Sequence, residues 1–193
     1  IQLAVIGGDF IDPTVPVAFV TPKPTEKLAA RIAKAFPVSR NRDFDQDPRF
    51  GMRVFAEIAV RALSPGVNDP GTAIDTLVAA QRALDAIGTD VESSRESVPG
   101  IVDLPLSFED LVEELVLPIA RDSARLFEVG VRLQSMLGSL AQQVPAARAF
   151  LAKLAHEALE QNRSAGLPDS NLTRIEQAYL ASFGGAQGSA GTA

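Results

Sequence analysis

Residues 43–84 read DFDQDPRFGMRVFAEIAVRALSPGVNDPGTAIDTLVAAQRAL, and they predict two apolar helices joined by one short loop. Asp47 followed by Pro48 is typical of a helix start, because an aspartate caps the first turn and a proline at the first helical position has no N–H to lose. The first helix is therefore predicted over residues 48–64. We expect the other helices to pack around this pair.

The second helix follows a loop whose backbone is restricted by prolines and glycines. Pro65 ends the first helix, Asn68 or Asp69 caps the second, and Pro70 takes its first position. Gly88 is predicted to end the second helix, since glycine is common just past the last turn. The predicted buried face of this helix consists of Ala73, Ile74, Leu77, Ala80, Leu84 and Ile87.

The first helix carries a narrow charged stripe on a surface that is otherwise apolar. Charged residues recur there at every fourth position, namely Arg49, Arg53, Glu57 and Arg61. This spacing predicts ion pairs from Glu57 to Arg53 and Arg61. A helix that is apolar on most of its circumference is expected to lie inside the core.

The composition of the 193-residue chain, 46% hydrophobic and 22% charged, is typical of a globular protein with a real core. The net charge of −6 offers no basic surplus for phosphate contacts, so we expect no nucleic-acid partner. The absence of cysteine excludes disulfides, thiol catalysis and cysteine-ligated zinc. No run approaches the roughly 18 apolar residues that a membrane helix needs, and no signal peptide is visible.

The whole chain predicts a mainly α-helical, compact fold with a small N-terminal β-hairpin element. Residues 1–24 form that element from strands over 1–6 and 15–20, and we expect it to be incomplete, because the chain starts inside a strand without an initiator methionine. A helical domain of about six helices follows over residues 25–183. The Gly/Ala/Ser-rich tail, residues 184–193, is predicted to be disordered.

Two helices outside the central pair have clear start signals. Thr25 caps one that ends before Pro37, and Ser107 with Asp110 has the spacing of a capping box at the start of another. In the helix that Thr25 caps, the apolar spacing predicts an inward face of Leu28, Ala29, Ile32, Ala33 and Phe36.

The charged stripe and the loop after it are the first candidate ligand site. The arginines could bind an anion, and the start of the second helix could receive one as well. The candidate ligand-binding residues are Arg49, Arg53, Arg61, Asn68, Asp69 and Thr72. The structural alternative is a set of ion pairs beside a rigid turn. No glycine-rich nucleotide-phosphate motif is present.

Aspartates near both ends of the first helix are the candidate metal ligands. Asp43, Asp45 and Asp69 offer the oxygen atoms that Mg²⁺ or Ca²⁺ prefers, although the spacing of a calcium-binding loop is missing. The alternative is that aspartates here only cap helices, and we expect no cofactor. His156, the single histidine, is predicted on an exposed helix face, with no nucleophile in a triad arrangement.

Two motifs resemble a known family: QDPRFG at residues 46–51 and, above all, RALSPGVNDPGTA at residues 61–73. They are similar to an uncharacterised bacterial family of predicted multi-pass membrane proteins, domain of unknown function 2254 (DUF2254). The resemblance implies that this chain is the C-terminal portion, beyond several N-terminal membrane helices. The full-length protein would then reside in the bacterial inner membrane, with this domain in the cytoplasm. No activity or residue role comes with the resemblance.

The leading functional hypothesis is a non-enzymatic assembly or regulatory domain of such a membrane protein. Its expected partners are the protein's own N-terminal transmembrane segment and further copies of itself in a homo-oligomer. The first alternative is a ligand-sensing module that grips a small anion. The second is a metal-dependent hydrolase that uses the aspartates.

Overall fold

The computed structural model describes residues 1–44, 47–91, 98–104 and 106–184. Within these ranges the chain forms two short strands and seven α-helices. Their bounds are β1 (Gln2–Leu3), β2 (Ala18–Phe19), α1 (Glu26–Lys34), α2 (Pro48–Leu63), α3 (Pro70–Val91), α4 (Phe108–Asp122), α5 (Phe127–Gln143), α6 (Arg148–Ser164) and α7 (Asp169–Phe183). The predicted fold class, mainly helical with a small N-terminal hairpin, is confirmed. The predicted disordered tail lies outside the described residues, except for Gly184.

Side-chain caps open α2 and α4 where the sequence predicts them. Oδ1 of Asp47 accepts a hydrogen bond from the N–H of Phe50 at 3.1 Å. Oγ of Ser107 accepts one from the N–H of Asp110 at 3.0 Å, and the Asp110 carboxylate accepts one from the N–H of Ser107 at 3.4 Å. These bonds complete the predicted capping box and satisfy N–H groups that have no partner inside the helix.

The centre of the core is α5, and the prediction that α2 and α3 form it is wrong. Helix α5 packs against α3, α6 and α7, whereas α2 packs against α3 and α4. Only two of its residues, Glu128 and Arg132, are charged, so most of its circumference can be buried. The large, fully buried side chains on α3, α4 and α5 are Leu77, Leu84, Leu111, Leu115, Ile119, Leu133, Met136, Leu137 and Leu140.

Gly88 does not end α3, which continues to Val91. A Cβ at Gly88 would lie 2.7 Å from Cγ2 of Val144 and 3.4 Å from the ring of Phe108. The glycine therefore allows the chain around Val144 to approach α3, and this need for space explains the residue better than a helix stop does.

The predicted inward face of α1 is also wrong. No residue of α1 is buried, and Leu28 is 45% exposed. The helix itself forms as predicted, with Oγ1 of Thr25 accepting a hydrogen bond from the N–H of Leu28 at 3.4 Å. Periodicity identified an apolar face, but it does not require that another element covers that face.

The hairpin element is shorter than predicted. Strands β1 and β2 pair antiparallel, with Gln2 opposite Phe19, and Gln2 also forms a parallel bridge to Val102. Pro16 and Pro22 flank β2 and lack the N–H that a longer ladder would need. The proposed boundary of this element at residue 24 stays a prediction.

Candidate functional site

A groove of about 400 Å³ lies along α2 and the start of α3. It is lined by Val54, Glu57, Ile58, Arg61, Ala62, Val67, Asp69 and Thr72. The groove therefore combines apolar side chains with one positive and two negative charges.

The two sides of α2 explain why the groove is apolar. The side that packs on the rest of the chain consists of Met52, Ala56, Ala59, Ala62 and Leu63. Three of these five residues are alanines. The larger β-branched side chains of Val54 and Ile58 are not on this side of α2 and line the groove instead. Ile58 remains 47% exposed. The prediction that α2 is buried on most of its circumference is therefore wrong, because other elements cover one side only.

The loop between α2 and α3 forms one wall of the groove and is held by its own backbone. The N–H of Asn68 donates to the carbonyl of Ser64 at 2.8 Å, and the N–H of Asp69 donates to the carbonyl of Ala62 at 2.8 Å. Asn68 has a φ of 48°, a left-handed conformation that asparagine tolerates. This turn leaves Val67 59% exposed.

Asp69 caps α3, as one of the two predicted alternatives requires. Its Oδ1 accepts a hydrogen bond from the N–H of Thr72 at 3.0 Å, and its Oδ2 accepts one from Oγ1 of Thr72 at 2.6 Å. These two hydrogen bonds hold the pKa of Asp69 below its usual range. The start of α3 is therefore occupied by the chain's own carboxylate, and a free anion would have to compete with it.

Two of the three charged residues in the groove, Glu57 and Arg61, have side chains that are unpaired in the part of the chain that the structure describes. In the described ranges, neither the Glu57 carboxylate nor the Arg61 guanidinium makes an ion pair or a hydrogen bond. The predicted ion pairs of Glu57 with Arg53 and with Arg61 are both wrong, and Nε of Arg53 instead lies 2.7 Å from Oε1 of Glu114 on α4. Two opposite charges, one helical turn apart, thus remain available on the same exposed surface.

The structure brings only part of the predicted ligand set together. Arg61, Asp69 and Thr72 line the groove, and Asn68 lies in the adjoining loop. Arg49 lies 12 positions before Arg61, about 18 Å away along the helix axis. The charged stripe therefore extends too far for one small anion to contact all of its arginines.

Arg49 belongs instead to a junction between the hairpin element and α2. Its Nη2 donates to the carbonyl of Gly7 at 3.0 Å and to Oδ1 of Asp9 at 2.8 Å. Partial burial raises the pKa of Asp9, but the hydrogen bonds from Arg49 and from the N–H of Ile6 lower it by a larger amount in total. The pKa of Asp9 therefore lies below its usual range. Asp47 is 3% exposed and accepts a hydrogen bond from Nε of Arg42 at 2.6 Å.

The candidate metal ligands are not brought together by the described residues. Asp43 precedes α2 and Asp69 follows it, and a helix of 16 residues is about 24 Å long. Asp45 lies outside the described residues. In the part of the chain that the structure describes, no group of three His, Cys, Asp or Glu residues could hold a metal ion.

A second concavity, of about 270 Å³, lies between α6 and α7 and includes His156 and Tyr179. His156 is exposed, as predicted. The charged side chains of this cleft pair with one another: Arg163 bridges Glu160 on its own helix and Glu176 on α7, 2.7 Å away. Both carboxylates raise the pKa of Arg163 through these hydrogen bonds. The arrangement fixes α6 to α7 and leaves no free charge for a ligand.

A polar cluster between α3 and α5 was not predicted from the sequence. Nη2 of Arg132 donates to Oε1 of Gln81 at 2.6 Å, and Nε2 of Gln81 donates to Oγ of Ser139 at 3.1 Å. Burial lowers the pKa of Arg132, and the charge of Asp85 opposes this shift. A charged residue beside the buried stripe of α5 is a sequence signal that could have revealed the cluster.

Comparison with known proteins identifies the family of this chain. A family model described as "Predicted membrane protein (DUF2254)" matches residues 1–139, and the chain belongs to this family. Uncharacterised proteins of Mycobacterium bovis and Mycobacterium tuberculosis are similar to it, with 41% identity over 54 residues, which is 28% of this chain and 10% of each relative. No solved structure matches the chain. Among the described residues, no helix has the length and apolar character needed to cross a membrane.

Proposed function

We propose that this chain is a non-enzymatic assembly domain of a bacterial membrane protein, and that the groove along α2 is its contact surface. The observation that supports this function is the exposure of Ile58 and Val67, 47% and 59%, in one concave surface. Single exposed apolar residues are ordinary, but apolar residues grouped in a groove are typical of interaction sites. Association would remove this apolar surface from water.

The oligomeric state of the purified chain tests this proposal. Ile58→Asp puts a charge into the groove, and Leu180→Asp is the matched control, since Leu180 is 59% exposed on α7. Native mass spectrometry should find an oligomer for the wild-type chain and for the control, and mainly monomer for Ile58→Asp. A wild-type chain that stays monomeric over the whole concentration range would contradict the proposal, as would an Ile58→Asp variant that assembles normally.

The membrane part of the same protein is the second proposed partner. The family description, a predicted membrane protein, supports a full-length protein in the bacterial inner membrane. We infer that this domain faces the cytoplasm. A C-terminal fusion to green fluorescent protein should then fluoresce, and a fusion to alkaline phosphatase should be inactive; the opposite pattern would place the domain outside.

A small-molecule site in the same groove is the second candidate function. It is favoured by the unpaired guanidinium of Arg61 and by a volume within the range of about 300–1,000 Å³ that ligand pockets have. Inorganic phosphate should then raise the melting temperature of the wild-type chain and of Arg82→Ala, an exposed control on α3, but not that of Arg61→Ala. An equal response of all three proteins would exclude an anion site at Arg61.

A further inference from the structure

We propose that a second copy of this chain occupies the groove, with the two α2 helices antiparallel about a two-fold axis. The inference rests on the proposed assembly function and names its partner. It starts from Glu57 and Arg61, which share the exposed side of α2 and have no partner within the described residues. A surface that carries one acid and one base, four positions apart, is complementary to itself when it is reversed.

The two-fold geometry pairs these charges twice. When the axis crosses α2 at the level of Ala59, Glu57 of one copy lies opposite Arg61 of the other copy. Because a two-fold interface is isologous, the second copy's Glu57 lies opposite the first copy's Arg61 in the same way. Both charges of both copies are then paired, which fixes the register of the helices.

The same register buries the exposed apolar side chains. Ile58 lies one position from the axis, so the two Ile58 side chains are about 3 Å apart along the helix direction and both lie within the contact. Val54 of one copy lies at the level of residue 64 of the other, where the loop that carries the exposed Val67 begins. The interface thus combines two ion pairs with apolar side chains beside them, and both kinds of contact are typical of protein–protein interfaces.

The charges of the groove favour this partner over a simple anion or a purely apolar helix. Glu57 and Asp69 are acidic and Arg61 is basic, so an anion would meet a net negative surface. A purely apolar segment would bury Glu57 and Arg61 without partners, which is costly. A second copy supplies both complementary charges at the required spacing.

Charge reversal tests the arrangement directly. In a Glu57→Arg homodimer both ion pairs become Arg–Arg contacts, and in an Arg61→Glu homodimer both become Glu–Glu contacts, so each variant should dimerise roughly tenfold or more weakly than wild type. An equimolar mixture of the two variants should form heterodimers, because every pair across the axis is again opposite in charge. Native mass spectrometry separates the species when one variant is isotopically labelled.

Matched controls and a second measurement keep the test specific. Glu113→Arg and Arg82→Glu make the same charge changes at exposed positions outside the groove, and each should dimerise like wild type. Since the chain has no cysteine, Ile58→Cys gives a single thiol near the proposed axis. A short bifunctional thiol reagent should cross-link it into dimers, whereas Leu117→Cys on the exposed side of α4 should stay uncross-linked.

The outcomes separate this inference from the proposed function. Heterodimers from variants that are monomeric alone support the antiparallel pair. A mixture that stays monomeric, while wild-type chain associates and Ile58→Asp does not, overturns the inference and leaves the assembly function with another register or partner. A wild-type chain that is always monomeric overturns both.

Discussion

The backbone of Gly8 packs directly against the carboxylate of Asp47, so closely that a Cβ at Gly8 would overlap Oδ2 of Asp47. The same carboxylate caps α2 through the N–H of Phe50. One buried side chain therefore both caps α2 and packs against the turn of the hairpin element at that end of the helix. The groove lies towards the other end of α2, so the two features do not compete for space.

We predict that Gly8→Ala destabilises the chain more than Gly100→Ala does. Both glycines have a positive φ, 86° and 82°, so both variants carry the strain of a left-handed alanine. Only Gly8 faces a side chain, whereas a Cβ at Gly100 meets nothing within 4 Å. Denaturant unfolding should show an additional loss of about 1–3 kcal/mol for Gly8→Ala. Equal losses would mean that the contact with Asp47 is unimportant.

Acid should weaken the junction between Asp9 and Arg49. The folded-state pKa of Asp9 is lowered, so the folded chain binds fewer protons than the unfolded chain around that pH. The contribution to stability is complete above the unfolded pKa of about 3.9 and is lost as the pH falls through the lower folded value. In thermal unfolding followed from neutral pH into this acid range, Asp9→Asn should lose less stability on acidification than wild type. Asp103→Asn, which removes an exposed carboxylate elsewhere, should behave like wild type.

The capping box of α4 should contribute measurably to stability. Ser107→Ala removes the acceptor for the N–H of Asp110, and a lost cap of this kind costs about 1 kcal/mol. The comparison is Ser135→Ala, an exposed position inside α5 where alanine is the better helix former. Denaturation midpoints should fall for Ser107→Ala and stay unchanged or rise for Ser135→Ala. The reverse order would show that α4 does not depend on its cap.

The close approach of α5 and α7 should appear as coupling between Gly138 and Ser182. A Cβ at Gly138 would overlap the Ser182 side chain, so we expect Gly138→Ala to cost about 1–3 kcal/mol. Ser182→Gly removes the overlapping atoms, and in that background Gly138→Ala should be nearly neutral. A double-mutant cycle of unfolding free energies measures the difference. Additive effects of the two substitutions would disprove the contact.

Local signals made much of the fold predictable. The caps at Asp47 and Ser107 follow from hydrogen bonds within three residues, which are visible in the sequence. The position of each helix in the core depends on contacts between residues that are distant in sequence. Periodicity alone therefore predicted α2 at the centre of the core, where the structure has α5. Gly88 is another position that a distant contact decides. It leaves room for the side chain of Val144, which is far away in the sequence.

The candidate site was predictable in part for the same reason. Arg61, Asp69 and Thr72 are close in sequence and remain close in the groove. Arg53 found a partner on α4 instead of the residue four positions along its own helix. An ion pair across two helices leaves no pattern in a single sequence, and the polar cluster around Arg132 left only one signal, a charged residue beside the buried stripe of α5.

The central position of α5 affects how the protein can be divided. The family model ends at residue 139, inside α5, whose buried side chains Met136, Leu137 and Leu140 lie on both sides of that point. Helices α6 and α7 cover α5, so a protein cut at the end of the family match would lose the last turn of its central helix and two of its neighbours. The segment that matches the family model is therefore shorter than the set of helices that packs around α5. Any shortened version of this domain should therefore extend through Phe183.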